Sequence, residues 1–263
     1  MPIIRRFVNP VSENYRVGDM AEDRKVALVT GGAKRVGRAI VEKLAAAGFD
    51  VAFTFNRSRD DAIALTNTRF ESGAQCIAVE ADLSDPEIAT ATIDKEFRAA
   101  YSRLDVLVNS ASAYLPGRLK DTNLQLMRTV AAIHVQSPLL LCQKFEQLLR
   151  ASRGHVVNMI DLLAERPWPE YLIYCASKAA LANLTLGLAR ELAPEVTVNG
   201  IAPGVVEWPE NYPQADREKY LKRVPLARAG TPQDVANLVH FLCTEGSYVT
   251  AQIIRLDGGR SVT

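Results

Sequence analysis

The sequence predicts an α/β fold: a doubly wound (Rossmann) parallel sheet of seven strands with helices on both faces, in a single domain. Three observations predict it. From Lys25 onward, short apolar runs alternate with longer amphipathic segments, the pattern of successive βαβ units. Several runs are rich in Val and Ile without strict alternation, as expected of strands covered on both faces. The first run ends in a glycine-rich turn, T-G-G-A-K-R-V-G at 30–37, that opens into a helical segment.

In order, the expected strands are 25–30, 50–55, 75–80, 104–109, 154–160, 195–200 and 252–256. Between them the expected helices are 35–47, 59–72, 85–101, 122–150, 171–193 and 231–244. The segment 205–224 breaks the alternation and carries Trp208, Pro209, Tyr212 and Pro213. It follows a strand end, where such sheets bind ligands, so it reads as a flap over a substrate or as a plain surface excursion. Residues 1–24 precede the alternation and read as a flexible or subunit-contacting extension, and 25–263 as the domain.

Composition narrows the function. The 263 residues carry 31 basic and 30 acidic side chains, a net charge of +1 that argues for neither a nucleic acid nor an anionic membrane partner. Cys76, Cys142, Cys175 and Cys243 form no C-x-x-C pair, so no metal site is expected and reduced thiols in a cytoplasmic protein are. No apolar run reads as a membrane span, and residues 1–24 lack the apolar stretch of a signal peptide.

The chemistry lies in three places. Gly31 and Gly37 allow a tight turn, and the helix N-terminus behind them offers N–H groups to a pyrophosphate. The second strand ends in Asn56, Arg57 and Ser58 rather than an acid, which suits a ribose 2′-phosphate and makes NADPH/NADP the expected cofactor; Arg57 as a plain surface charge is the other reading. Asp161 ends the strand 154–160, and Tyr174 and Lys178 stand four apart on one face of the next helix. An ammonium beside a phenol favours the phenolate, so this pair is expected to move a proton near neutral pH.

The order of these motifs over 25–263 resembles the short-chain dehydrogenase/reductases. Further stretches fit: A-D-L at 81–83, N-S-A-S at 109–112, Y-C-A-S-K at 174–178 and P-G at 203–204. The resemblance implies cofactor contacts at Gly31, Arg35, Val36, Asp82, Leu83, Asn109, Ser110, Ala111, Tyr174, Lys178, Pro203, Gly204 and Val205. Several residues depart from the common pattern. Asp161 stands where Ser is usual, Arg35 replaces the middle glycine of the turn, and Ser112 replaces a Gly. An ionised carboxylate only accepts hydrogen bonds, whereas a Ser hydroxyl donates one to a carbonyl oxygen.

With Arg57-Ser58, these departures resemble the pteridine reductase group, nearest to the dihydromonapterin reductases. That likeness implies hydride transfer to C6 of a dihydropterin or folate, with a proton to N5. Arg35, Ser112, Tyr114, Asp161 and Tyr174 would then hold the substrate, Tyr114 by stacking on the flat ring. Tyr174 would be the direct acid or would order a donor water. His134 sits where the family often has an Asn that braces a water chain to the Lys; a proton relay and a core His bonded to a carbonyl are both open. The class implies a homotetramer. A 3-oxoacyl thioester reductase is the alternative enzyme, though it calls for Ser at 161 and Gly at 35 and 112. A nucleotide-binding scaffold that has lost catalysis is the reading from another class, and the retained Tyr174 and Lys178 weigh against it.

Overall fold

The computed structural model describes residues 24–208 and 212–263. Seven strands form one parallel sheet: β1 (Val26–Val29), β2 (Asp50–Phe55), β3 (Cys76–Glu80), β4 (Val106–Asn109), β5 (His155–Met159), β6 (Thr197–Pro203) and β7 (Ile253–Leu256). Their order is β3-β2-β1-β4-β5-β6-β7. The chain therefore reverses direction between β1 and β4, and a crevice opens at the carboxyl ends of those strands.

Alternate side chains of each strand point to opposite faces. Ala27 and Val29 of β1 join one core, under α1 (Arg35–Ala46), α2 (Arg59–Thr66) and α8 (Pro232–Thr244). Val26 and Leu28 join the other, under α3 (Pro86–Ala100), α5 (Ser137–Ser152) and α6 (Leu172–Glu191). Two-sided burial explains why these strands lack a polar face in the sequence.

The structure corrects several expected boundaries. Helix α2 stops at Thr66 instead of 72; Thr66 and Thr68 turn their hydroxyls back onto the carbonyls of Ile63 and Ala64, and the chain turns at Gly73 with φ 72°. The long helix expected at 122–150 is in three parts: α4 (Leu124–Ala131), a π-helical turn (Ala132–Gln136) and α5. Pro138 supplies the cause, since it has no N–H to offer the carbonyl four residues back, that of His134, and its ring crowds that carbonyl. Strand β6 runs on to Pro203, and the segment 205–224 contains a helix, α7 (Gln214–Leu221). Residues 209–211 of that segment, and 1–23 of the expected extension, lie outside the described residues.

Helix α6 is long and apolar enough to cross a bilayer, which the sequence reading did not register. It lies instead against the sheet, with Tyr174, Ser177, Lys178, Leu181, Thr185 and Leu188 buried.

Candidate active site

The turn after β1 is held from two sides. Thr30 Oγ1 accepts from the N–H groups of Ser110 (2.9 Å) and Ala111 (3.0 Å), tying β1 to the loop after β4. Thr54 Oγ1 accepts from Gly31 N–H at 3.0 Å, tying it to β2. Gly31 has φ 67°, and a Cβ there would stand 2.9 Å from Ala111 Cα. A Cβ on Gly37 would stand 2.1 Å from Gly31 O, so only glycine fits where α1 meets the turn. Arg35 keeps φ 52° where the common pattern has glycine, a conformation costing roughly 1–3 kcal/mol for a residue with a side chain.

A cavity of about 880 Å³ opens along this edge of the sheet. Gly31, Arg35, Val36, Asn56, Asp82, Leu83, Ser110 and Ala111 line one part of it. Ser112, Tyr114, Asp161, Tyr174, Lys178, Pro203, Gly204 and Val205 line the rest. The sequence thus located most of the wall. Arg57 and Ser58, which follow Asn56, are not part of the wall; Asp82, whose carboxyl is held below its usual range mainly by the Ser84 N–H, feels the Arg57 charge.

Asn109 is not in the wall, contrary to the expected cofactor contact. Its amide donates to Asn158 Oδ1 (2.8 Å), its register partner on β5, and Asn158 donates to Thr185 Oγ1 (2.9 Å). This buried chain bolts β4 to β5 and α6, and it draws the side chain away from the cavity.

Asp161, Tyr174 and Lys178 come together as expected. Asp161 leaves β5 and starts a short 3-10 turn (Leu162–Ala164); its Oδ1 accepts from Leu163 N–H at 2.8 Å. Its Oδ2 accepts from the Tyr174 hydroxyl at 2.7 Å. One turn further along α6, Lys178 Nζ donates to Met159 O at 2.7 Å and stands 5.8 Å from the centre of the Tyr174 ring.

The electrostatics differ from the expectation. Burial and then the Asp161 carboxylate raise the Tyr174 pKa well above that of a free phenol. Burial also raises the Asp161 carboxyl, against the Leu163 N–H, Tyr174 and Lys178. Burial pushes the Lys178 ammonium down to about 8. A carboxylate in direct contact outweighs an ammonium that reaches past the ring to a carbonyl, so Tyr174 is a protonated donor and not a phenolate.

His134 is buried in the π-helical turn. Its Nε2 meets Ala113 N–H (3.1 Å) and Ser112 Oγ (3.0 Å), and its Nδ1 meets Ser177 Oγ (2.8 Å). Burial, then Lys178, pushes its pKa to about 2, so the ring is neutral. Among the described residues the ring bonds no carbonyl; its partners are two serine hydroxyls and one backbone N–H.

The sequence reading missed much of the aromatic wall. Tyr114 stacks on Tyr171 (centroids 4.2 Å apart, planes at 21°) and meets Tyr174 edge-on at 4.8 Å. Tyr171 lies three residues before Tyr174, a helix-face spacing that could have identified it. Tyr220, Glu207 and Arg260 also line the cavity, brought there from distant parts of the chain with no local signal. Glu207 Oε2 accepts from Arg35 Nε at 2.7 Å, and both residues line the cavity. Among the described residues, no cluster of His, Cys, Asp and Glu could hold a metal ion.

Comparison with known proteins agrees with this geometry. Residues 31–261 match the family described as enoyl-(acyl carrier protein) reductase. Pteridine reductase 1 of Leishmania tarentolae is 33% identical, over 90% of this chain and 96% of its own. The 3-oxoacyl-[acyl-carrier-protein] reductase FabG of Staphylococcus aureus is also 33% identical, over 89% of this chain and 97% of its own. Dihydromonapterin reductase of Shigella boydii is 32% identical, over 89% and 95%. A short-chain dehydrogenase from Burkholderia cenocepacia, solved in complex with NADP, superposes with a TM-score of 0.83 at 35% identity, over 90% of this chain and 97% of that one. Motifs, topology and relatives agree: the chain belongs to the short-chain dehydrogenase/reductase family and is an oxidoreductase.

Proposed function

We propose that this oxidoreductase is an NADPH-dependent pteridine reductase that converts a 7,8-dihydropterin, of the dihydromonapterin, dihydrobiopterin or dihydrofolate type, to its tetrahydro form. The observation that carries this reading is Asp161, a half-buried carboxylate that accepts the Tyr174 hydrogen bond where a ketone reductase needs a hydroxyl donor.

The cradle fits a dinucleotide. Gly31 and Gly37 leave no room for a Cβ, the N-terminus of α1 faces the same space, and Arg57, whose charge is felt by Asp82 of the cavity wall, would meet a 2′-phosphate. Gly31, Val36, Asp82, Leu83, Ser110, Ala111 and the 203–205 turn would hold NADPH, which when bound supplies the hydride. This chain's residues do the rest. Tyr114, backed by Tyr171, offers an aromatic face to a flat ring. Asp161 accepts from substrate N–H groups. Tyr174 keeps a proton at neutral pH and delivers it to N5, directly or through a water it orders, while C6 receives the hydride. Lys178 holds the end of β5 in place through Met159 O. The reading extends to a flap at 205–224, a homotetramer and a cytoplasmic setting.

The alternative is a 3-oxoacyl thioester reductase, since FabG is as similar as pteridine reductase 1. The test is NADPH oxidation with 7,8-dihydromonapterin, 7,8-dihydrobiopterin, dihydrofolate and an acetoacetyl thioester in parallel. Turnover of the pterins but not the thioester is expected. Turnover of the thioester alone would overturn the proposal.

A further inference from the structure

The hydrogen bonds around His134 assign every proton in the ring that backs Tyr174. The Ala113 N–H is a backbone donor that cannot turn, and it points at Nε2 from 3.1 Å. Nε2 therefore carries no proton. The other end requires the same tautomer. Ser177 Oγ donates to Tyr174 O at 2.7 Å, so it can only accept from Nδ1, which holds the ring's proton. Ser112 Oγ, 3.0 Å from the unprotonated Nε2, meets it as a donor and shares that nitrogen's one lone pair with the Ala113 N–H. What Ser112 presents to the cavity is lone pairs.

We propose that His134 is a positioning residue that turns Ser112 into an acceptor-only contact, so that the site selects a substrate by its N–H groups and discriminates against carbonyl oxygens. Asp161 is an acceptor for the same purpose, its two oxygens already taking Leu163 N–H and the Tyr174 hydroxyl. Ser112 and Asp161 line the cavity with Tyr174, whose hydroxyl Asp161 holds. A ring N–H or exocyclic amine finds two partners in the same cavity as the proton donor. A ketone oxygen finds one donor, Tyr174, against two repelling lone-pair groups. Leaving such groups unpaired is the strongest way a site rejects the wrong polarity. No carboxylate among the described residues bonds the His134 ring, and Lys178 is the charge that disfavours its protonation after burial.

The proposal rests on the pterin reading only for the substrate's name, and its test separates the two. The whole protein has three histidines, so ¹⁵N-histidine labelling gives a simple spectrum, with His134 assigned by its loss in His134→Asn. The expected result is a neutral Nδ1–H tautomer from pH 5.5 to 8. An Nε2–H tautomer or a charged ring would overturn the proposal, whatever substrate is turned over. In His134→Asn the shorter amide no longer reaches both serines, and the Ser112 proton is free to face the cavity. Relative kcat/KM for 7,8-dihydromonapterin over the acetoacetyl thioester should fall by about tenfold or more, through the pterin's KM, with the pH profile unchanged. Ser112→Ala should lose the same pterin affinity while the histidine spectrum stays that of an Nδ1–H ring. An equal loss for both substrates, or a loss in kcat alone, would reduce His134 to a packing residue. A correct tautomer in an enzyme that ignores pterins would sink the pterin reading and leave the Ser112 assignment standing.

Discussion

Asp161 and Tyr174 share a proton that both groups hold more tightly than they would in water. Desolvation makes either anion costly, and their contact lets one charge serve both. Replacing the carboxylate with the hydroxyl usual in this family removes that half-buried charge. Asp161→Ser should lower kcat/KM for a dihydropterin at least about 100-fold, the low end of what a proton-handling group contributes. It should also raise the melting temperature, because an incompletely compensated, half-buried charge destabilises the fold. Wild-type turnover in that variant would remove Asp161 from the chemistry. Lys178 sets the alkaline limit. Its folded pKa of about 8 lies below the ~10.4 of a free lysine, so the unfolded chain binds the proton more tightly. The penalty is complete below about 8 and is relieved as pH rises from about 8 to about 10; this contribution to stability therefore grows with pH over that window. Turnover should fall over the same range as the ammonium at Met159 O is lost, and a pH–rate profile extended to pH 10 checks it. No acidic limb should come from His134, which stays neutral down to about 2.

At the scale of elements, what was legible was what repeats or punctuates. The strands were readable because each is an apolar run between turn residues, and α1 because the glycines fix where it starts. The middle helix was misread as continuous, although Pro138 was in plain view: the π-helical turn that absorbs it is a local answer that a hydrophobic pattern does not encode. That turn is what carries His134 to Ser112 and Ser177. The partner of Asn109 was illegible for a related reason: its motif stands in the sequence, but its bond to Asn158 is set by strand register. The turn before α1 supports a direct prediction. Gly37→Ala would put a Cβ 2.1 Å from Gly31 O, a backbone atom that cannot swing away. The turn must open, so the variant should lose about 1–3 kcal/mol of stability and most of its affinity for NADPH. Thermal unfolding with and without the dinucleotide checks both; a variant that is still stabilised by NADPH as the parent is would mean that the turn does not carry the phosphates.

At the scale of the whole molecule, sheet order sets where charge is useful. The reversal between β1 and β4 places one crevice across the ends of β2, β1, β4 and β5, and a dinucleotide lying there would have its adenosine end over β2. Net charge decides nothing at +1, so preference for the 2′-phosphate must come from local pairing. Around the end of β2, Lys34 is paired with Asp61, at 3.0 Å, and Arg59 with Glu80. Arg57 has no ion pair among the described residues and stands beside Asp82, whose carboxyl is already occupied by the Ser84 N–H and the Asn56 side chain. Of these cations Arg57 is the candidate for the phosphate, the residue that the sequence also points to. Arg57→Ala should lower the ratio of kcat/KM for NADPH over NADH by at least about tenfold, since a charge-assisted contact to a phosphate is worth roughly 1.5–3 kcal/mol. The loss should fall on NADPH alone. It should also shrink as salt is raised, because Arg57 is exposed to solvent and 1 M salt screens beyond about 3 Å. Steady-state kinetics with both cofactors at low and high salt would check this; a ratio unmoved by the substitution would leave Arg57 a solvated surface charge and pass the 2′-phosphate to Asn56, Ser58 or Lys34.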